Sequence, residues 1–489
     1  MAIRRSFKSD ESFLEKLAIG ATGTQAVMND LRQQGFHPVE LERGSSSWKV
    51  WKQIKIKRLR VPDILLLDTA TRIEARAKKS LQIRMSHSES DPQRGWDRGL
   101  LDEDFVALTV CVQAGNRPID WRASPFVQYI RVKDMREAWI AGRTITERPK
   151  GAQEGFELRL TWPSAITRHS GRVTAVAQNR LTYQRESDHR TISLSLYQKK
   201  IALNALVAPG EPVHESQIVA SVVPVSQRLP KLPMATEDTY LGWLSSRDVA
   251  VRYTAAKALA YFHGREVQTE LLRILQDDSE HLYVRLEAAS SLARLDIPEG
   301  WKWIDESVNS PYLENQLETV IILGELRKPE ATDLLISILL DTARHAEIRA
   351  GAAWAIGEGG AVKGVDALVR TFSDLTPGLR VEAVRALRRL LDAQCPNLAA
   401  RLESTDSDQR AGLAWAISRS GRFTVEELVQ ACHGDVEARR WVAYILGLQD
   451  ADAWATRLGP IKDAAPEVFF AATVLWQIMR SWIANVDEF

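Results

Sequence analysis

One signature returns through residues 236–489 of this chain, and it limits the fold more than any other feature. Arg252-Tyr-Thr-Ala-Ala256, Arg285-Leu-Glu-Ala-Ala289, Arg349-Ala-Gly-Ala-Ala353, Arg380-Val-Glu-Ala-Val384, Arg410-Ala-Gly-Leu-Ala414 and Arg439-Arg-Trp-Val-Ala443 align. Gln316 takes the arginine position in one further copy, and the spacings from Arg252 onward are 33, 31, 33, 31, 30 and 29 residues. A period near thirty, with small residues at fixed offsets and apolar residues at helical spacing, means helix pairs stacked on one another. The arginines tempt one to draw a ladder for phosphates. Their equivalent positions at a helix start argue instead for ion pairs within each repeat. This half of the chain also carries only 27 Lys+Arg against 38 Asp+Glu.

On these residues the second half resembles HEAT repeats of the short type, in some six to eight copies. The resemblance implies an all-α solenoid over 236–489 that binds a protein partner. A Trp-rich helix near residues 467–484 would close the array.

The first half has the opposite charge balance. Residues 1–235 hold 37 Lys+Arg and 25 Asp+Glu, which suits a polyanionic partner. A length of 489 residues predicts two or more domains. No apolar run is long enough to span a membrane, and the N-terminus lacks the apolar stretch of a signal peptide. Cys111, Cys395 and Cys432 are too scattered for a disulfide framework or a zinc site, so a cytoplasmic location is expected.

Between the halves, residues 151–228 read as a small, β-rich, barrel-like domain. Phe156-Glu-Leu-Arg-Leu160, Arg172-Val-Thr-Ala-Val176 and Thr191-Ile-Ser-Leu-Ser-Leu196 alternate apolar and polar residues as strands do. Val222–Thr239, with three prolines, reads as a linker to the array. Residues 1–150 read as mixed α/β. A helix is expected over Thr24–Gln34, ended by Gly35, followed by strands at Phe36–Leu41, Asp63–Leu67, Thr71–Ala77 and Phe105–Val112.

The chemistry-bearing residues lie in that first domain. Asp63 opens one strand of Arg60-Val-Pro-Asp-Ile-Leu-Leu-Leu-Asp68, and Glu74 lies inside the next. Arg76 and Lys78 follow at alternate positions, so Glu74, Arg76 and Lys78 share one face of the strand. Two carboxylates and a cation on one face suit a hard metal beside a phosphate. The plain alternative makes Asp63 a turn residue and Glu74 half of an ion pair with Arg76 or Lys78.

The order helix, strand, Gly44-Ser45, Pro62-Asp63, then Glu-x-Arg on the following strand resembles the PD-(D/E)xK nuclease superfamily, closest to Mrr-like restriction enzymes and archaeal Holliday-junction resolvases. The resemblance covers roughly residues 10–115. It implies a restriction-endonuclease-like fold and Mg²⁺-dependent (or Mn²⁺-dependent) hydrolysis of DNA, with RNA also open. Asp63 and Glu74 would be metal ligands, the backbone carbonyl of Ala75 a third, with Glu42 as a further acid to test. Ser45 would stand near the phosphate. Resolvase-like members imply a homodimer, and fusions of this kind imply bacterial restriction, anti-phage defence or DNA repair. One departure matters: the motif lysine falls at Arg76, which stays protonated and cannot act as a base. Either Lys78 supplies the ammonium, or Arg76 clamps the phosphate, or the site does not cleave. In the last case the chain is a catalytically silent nucleic-acid-binding scaffold that recruits a protein through its repeats.

Trp48-Lys-Val-Trp-Lys-Gln-Ile-Lys-Ile-Lys-Arg-Leu-Arg60 completes the picture. Lys49, Lys52, Lys55, Lys57, Arg58 and Arg60 form a cationic strip for phosphates, and Trp48 and Trp51 would stack on bases. The alternative is a solvated edge hairpin. His87, in the polar segment 85–99, would sit over the site as a proton relay or phosphate ligand, or simply lie on the surface.

Overall fold

Residues Asp10–Gln33 form one long helix, α1, in the computed structural model of the protein. The structure describes residues 10–45, 54, 59–115, 120–148, 157–394, 397–403 and 406–479. Helix α1 begins far before the expected Thr24, because two glycines inside it do not end it. Gly23 marks a close approach: a Cβ there would collide with the Cβ of Ala77. The true end is at Gly35, whose φ of +92° is open to glycine at little cost.

Strands β1 (Pro38–Glu40), β2 (Ile64–Leu66) and β3 (Thr71–Lys78) form an antiparallel meander. After β4 (Arg84–Ser88), strand β5 (Phe105–Gln113) runs parallel to β3, pairing Glu74 with Val106 and Lys78 with Val110. Strands β6 (Trp121–Ala123) and β7 (Gln128–Arg131) add to β5, and helix α2 (Val132–Ile140) follows. Val27, Met28 and Leu31 of α1 pack on Ile64, Ile73, Phe105 and Ala107 of this sheet. The near-continuous apolar burial of β5 is what a central strand requires.

Strands β8 (Ile145–Glu147) and β9 (Glu157–Thr161) build a second sheet with β4, in the order β4-β9-β8. Further strands follow at 171–177, 180–185, 191–195 and 212–213 in one sheet, and at 164–166, 204–205 and 218–221 in another. The expected barrel is not found: among the described residues these sheets do not close on one another. Their outer strands are only two residues long at 204–205 and 212–213, too short to carry a ladder round. They cover a core instead, where Val173, Leu181, Tyr183 and Val219 join Ile83, Met85, Val106 and Trp162. The segment read as a linker is packed down as well. Val222 and Val223 are buried, Ser226 bridges Tyr129, and Ala235 donates its N–H to the Asp68 carbonyl.

From Glu237 onward every described element is helical. The chain divides into two compact units, residues 1–48 with 58–287 and residues 49–57 with 288–489, so the first helices of the repeat region belong with the α/β region. The signature arginines all lie near the start of the second helix of a pair. Five of the six reach back to the orphan carbonyls that end the preceding helix or turn: Arg252 to Ser246, Arg285 to Leu275, Arg349 to Leu339, Arg380 to Asp374 and Arg410 to Glu403. Gln316 does the same at Ser310. Their ion pairs mostly run forward into the next repeat, not within their own. Arg252 pairs with Glu280 at 2.7 Å, Arg349 with Asp374 at 2.7 Å and Arg410 with Asp435 at 2.8 Å. A period near thirty puts an acid some 25–28 residues ahead beside Arg252, Arg349 and Arg410, whereas Arg285 pairs backward with Asp278 at 2.9 Å.

Candidate functional site

Asp63 stands just before β2, where its backbone carbonyl receives the N–H groups of Leu41 and Glu42. Its side chain turns toward β3, and Oδ2 accepts the N–H of Ala75 at 2.8 Å. The hairpin register that sets Ile64 against Ile73 makes this contact possible. Withdrawal from water raises the pKa of Asp63 well above the ordinary carboxylate value, and the negative charges of Glu74 and then Glu42 push it further up. Arg76 and the Ala75 N–H act against that shift. The charges of Glu74 and Glu42 thus both bear on Asp63.

Glu74 is half of an ion pair with Arg76 at 2.5 Å. The charges of Glu74, Asp63 and Glu42 hold the Arg76 guanidinium protonated more firmly than usual. Arg76 is thus the cation that meets the carboxylates. Lys78 is turned elsewhere: its Nζ donates to the carbonyls of Arg84 at 3.0 Å and Gln82 at 3.4 Å. Burial, with Arg84, Arg76 and Arg159 close by, lowers its pKa to about 8. Ser45 donates to Glu40 at 3.2 Å.

Oxygen donors such as Asp63, Glu74, Glu42 and the Ala75 carbonyl suit Mg²⁺ or Mn²⁺ by chemistry. Their arrangement does not match a ready cage. Asp63 and Glu74 are engaged by Ala75 and Arg76, and among the described residues no three His, Cys, Asp or Glu side chains gather as a metal set.

The remaining residues of the sequence reading lie apart from this cluster or beyond view. Trp48, Lys49, Trp51, Lys52, Lys55, Lys57 and Arg58 lie outside the described residues. Arg60 is exposed. His87 is on strand β4, where its Nδ1 accepts the Trp96 N–H and its ring meets Trp139 edge-on at 5.2 Å.

Two buried ion pairs escaped the sequence. Arg72 and Asp104 form a fork-to-fork pair at 2.6 and 3.2 Å that ties β3 to the entry of β5. Arg43, between Glu42 and Gly44-Ser45, is paired with Glu287 and donates to the Tyr253 hydroxyl at 3.1 Å. Tyr253 also donates to the Leu41 carbonyl, and Tyr240 to that of Leu67 at 2.8 Å. No sequence pattern separates these arginines from solvated ones.

A family model described as HEAT repeats matches residues 238–300. The region from there to the end of the described chain is a helical-repeat region. No curated protein matches the chain. Among solved structures, the complex of CpcE and CpcF of phycocyanin lyase from Nostoc sp. PCC7120 is similar at 18% identity, over 52% of this chain and 100% of that one, with a TM-score of 0.25. Human deoxyhypusine hydroxylase in complex with glycerol is similar at 20% identity, over 45% and 91%, with a TM-score of 0.23. An engineered protein is similar at 17% identity, over 49% and 97%, with a TM-score of 0.19. Among the described residues no helix is long and apolar enough to cross a membrane.

Proposed function

We propose that this chain is a nucleic-acid-binding adaptor, in which the α/β region holds a nucleic-acid backbone and the helical repeats present a surface to a protein partner. The observation that carries this reading is the engagement of the motif cations. Arg76 is bound by Glu74, and Lys78 is turned away from the carboxylates to two backbone carbonyls, so neither is aimed at a scissile phosphate beside Asp63 and Glu74. The basic balance of residues 1–235 supports the nucleic-acid half of the reading, and the HEAT-repeat match supports the protein half.

A second reading, metal-dependent hydrolysis of DNA in defence or repair, draws on one specific observation. Asp63 sits against Glu74 and Glu42 with its pKa driven up, a crowding that a divalent cation would relieve. When bound, such an ion would supply Lewis acidity and an activated water. The experiment is incubation of the full chain with plasmid, single-stranded DNA and RNA in Mg²⁺ or Mn²⁺, beside Asp63→Ala and Glu74→Ala. The adaptor reading expects binding by all three proteins and cutting by none. Cutting by the wild type that both variants lose overturns it in favour of hydrolysis.

A further inference from the structure

Beyond the carboxylates, the β4-β9-β8 sheet turns a cationic face outward. Pairing sets Arg84 opposite Thr161 and Ser86 opposite Arg159. Arg84 and Arg159 are therefore diagonal neighbours on adjacent strands, with backbones about 7–8 Å apart. Arg84 keeps its guanidinium over this face by donating from Nε to the Thr161 hydroxyl at 3.1 Å, and Arg159 and Ser86 are exposed beside it. Lys78 joins them from the end of β3, anchored on the Arg84 carbonyl at 3.0 Å. The acid that faces this group from β8 is Glu147, directly opposite Arg159; it pairs with Lys199 at 2.9 Å and also interacts with the charges of Arg84 and Arg159.

We infer that Lys78, Arg84 and Arg159, with the hydroxyl of Ser86, form a track for successive phosphates of a nucleic-acid strand on the outer face of the β4-β9-β8 sheet. This rests on the nucleic-acid reading given above and names where the backbone runs. A charge-rich face with two arginines at a fixed diagonal spacing fits a polymer whose charges repeat at regular intervals, more than a single free phosphate. Burial, and then repulsion from Arg84, Arg76 and Arg159, lowers the Lys78 pKa to about 8. That repulsion marks positive charge which a polyanion would neutralise.

The test is fluorescence anisotropy of a labelled oligo-dT of about 30 nucleotides with the full chain, in salt from about 50 to about 200 mM. Arg84→Gln with Arg159→Gln is expected to weaken binding roughly tenfold and to flatten the slope of log affinity against log salt by about 1.4, at about 0.7 for each phosphate no longer neutralised. Arg159→Lys, which keeps the charge, is expected to leave the slope unchanged. Melting curves confirm that each variant is folded. In the wild type, the pH midpoint for acetylation of Lys78 is expected to rise when oligo-dT is bound, which a merely structural lysine would not show. Wild-type binding with an unaltered slope in the Arg84/Arg159 double variant overturns the track and leaves the nucleic-acid reading standing. No wild-type binding at the lowest salt overturns the reading itself. Equal affinity for polyglutamate overturns the choice of nucleic acid over an acidic polypeptide.

Discussion

Asp63 bears the strongest electrostatic conflict in the candidate site, and its sign can be read out. Its folded-state pKa lies above the ordinary value of 3.8, so the folded chain holds a proton over a pH window where the unfolded chain has lost it. The contribution of Asp63 to stability therefore falls as pH rises through that window, and a penalty remains at neutral pH. Asp63→Asn keeps an acceptor for the Ala75 N–H and removes the charge. It is expected to melt higher than wild type at pH 7, by roughly 2–4 °C for each kcal/mol of repulsion relieved, with the gain fading as pH falls toward 3.8. A variant that melts no higher at pH 7 would show that the three acids do not crowd one another. Motif order singled out Asp63 and Glu74, and Glu42 only as an acid to test. It did not reveal that Arg76, not Lys78, is the cation beside them. Strand alternation puts both cations on one face, but where a long side chain goes depends on acceptors such as the Gln82 and Arg84 carbonyls, which the sequence does not mark.

At the scale of elements, the repeat was legible because its constraint is local and recurs. Small residues mark where helices touch. A Cβ on Gly357 would lie 2.6 Å from the Ala386 Cα of the next repeat, and one on Gly324 would lie 2.9 Å from the Ala355 Cβ. Gly357→Val is expected to cost about 1–3 kcal/mol through forced separation of those helices, seen as a lower melting temperature. A valine tolerated without any drop would mean that the two helices are not so close in solution. The strands were legible where apolar and polar residues alternate, as at 172–176 and 191–196. Arg180–Arg185, the strand between them, alternates in the same way, with Leu181 and Tyr183 buried, yet was not read as a strand. Barrel closure could not be read at all, because it depends on pairing between strand edges far apart in sequence.

At the scale of the whole molecule, contacts run across the point where the sequence changes character. The sequence breaks visibly near residue 236, at a proline-rich stretch and a reversal of charge. One compact unit spans that position, running to Glu287. Arg43 and Glu287, with side chains 5% and 2% exposed, are paired across 244 positions of sequence, with Tyr253 beside them. Arg43→Ala strands the Glu287 charge in a dry place and is expected to cost about 3–5 kcal/mol, whereas Arg43→Met combined with Glu287→Met is expected to recover most of it. A single variant as stable as wild type in urea would sink this account of the pair. The same pair dictates how the gene can be spliced. A swap that exchanges the repeats of one such chain for another's succeeds only if the crossover falls after Glu287, so that the first helices travel with the α/β region as inherited cargo rather than as part of the interchangeable array.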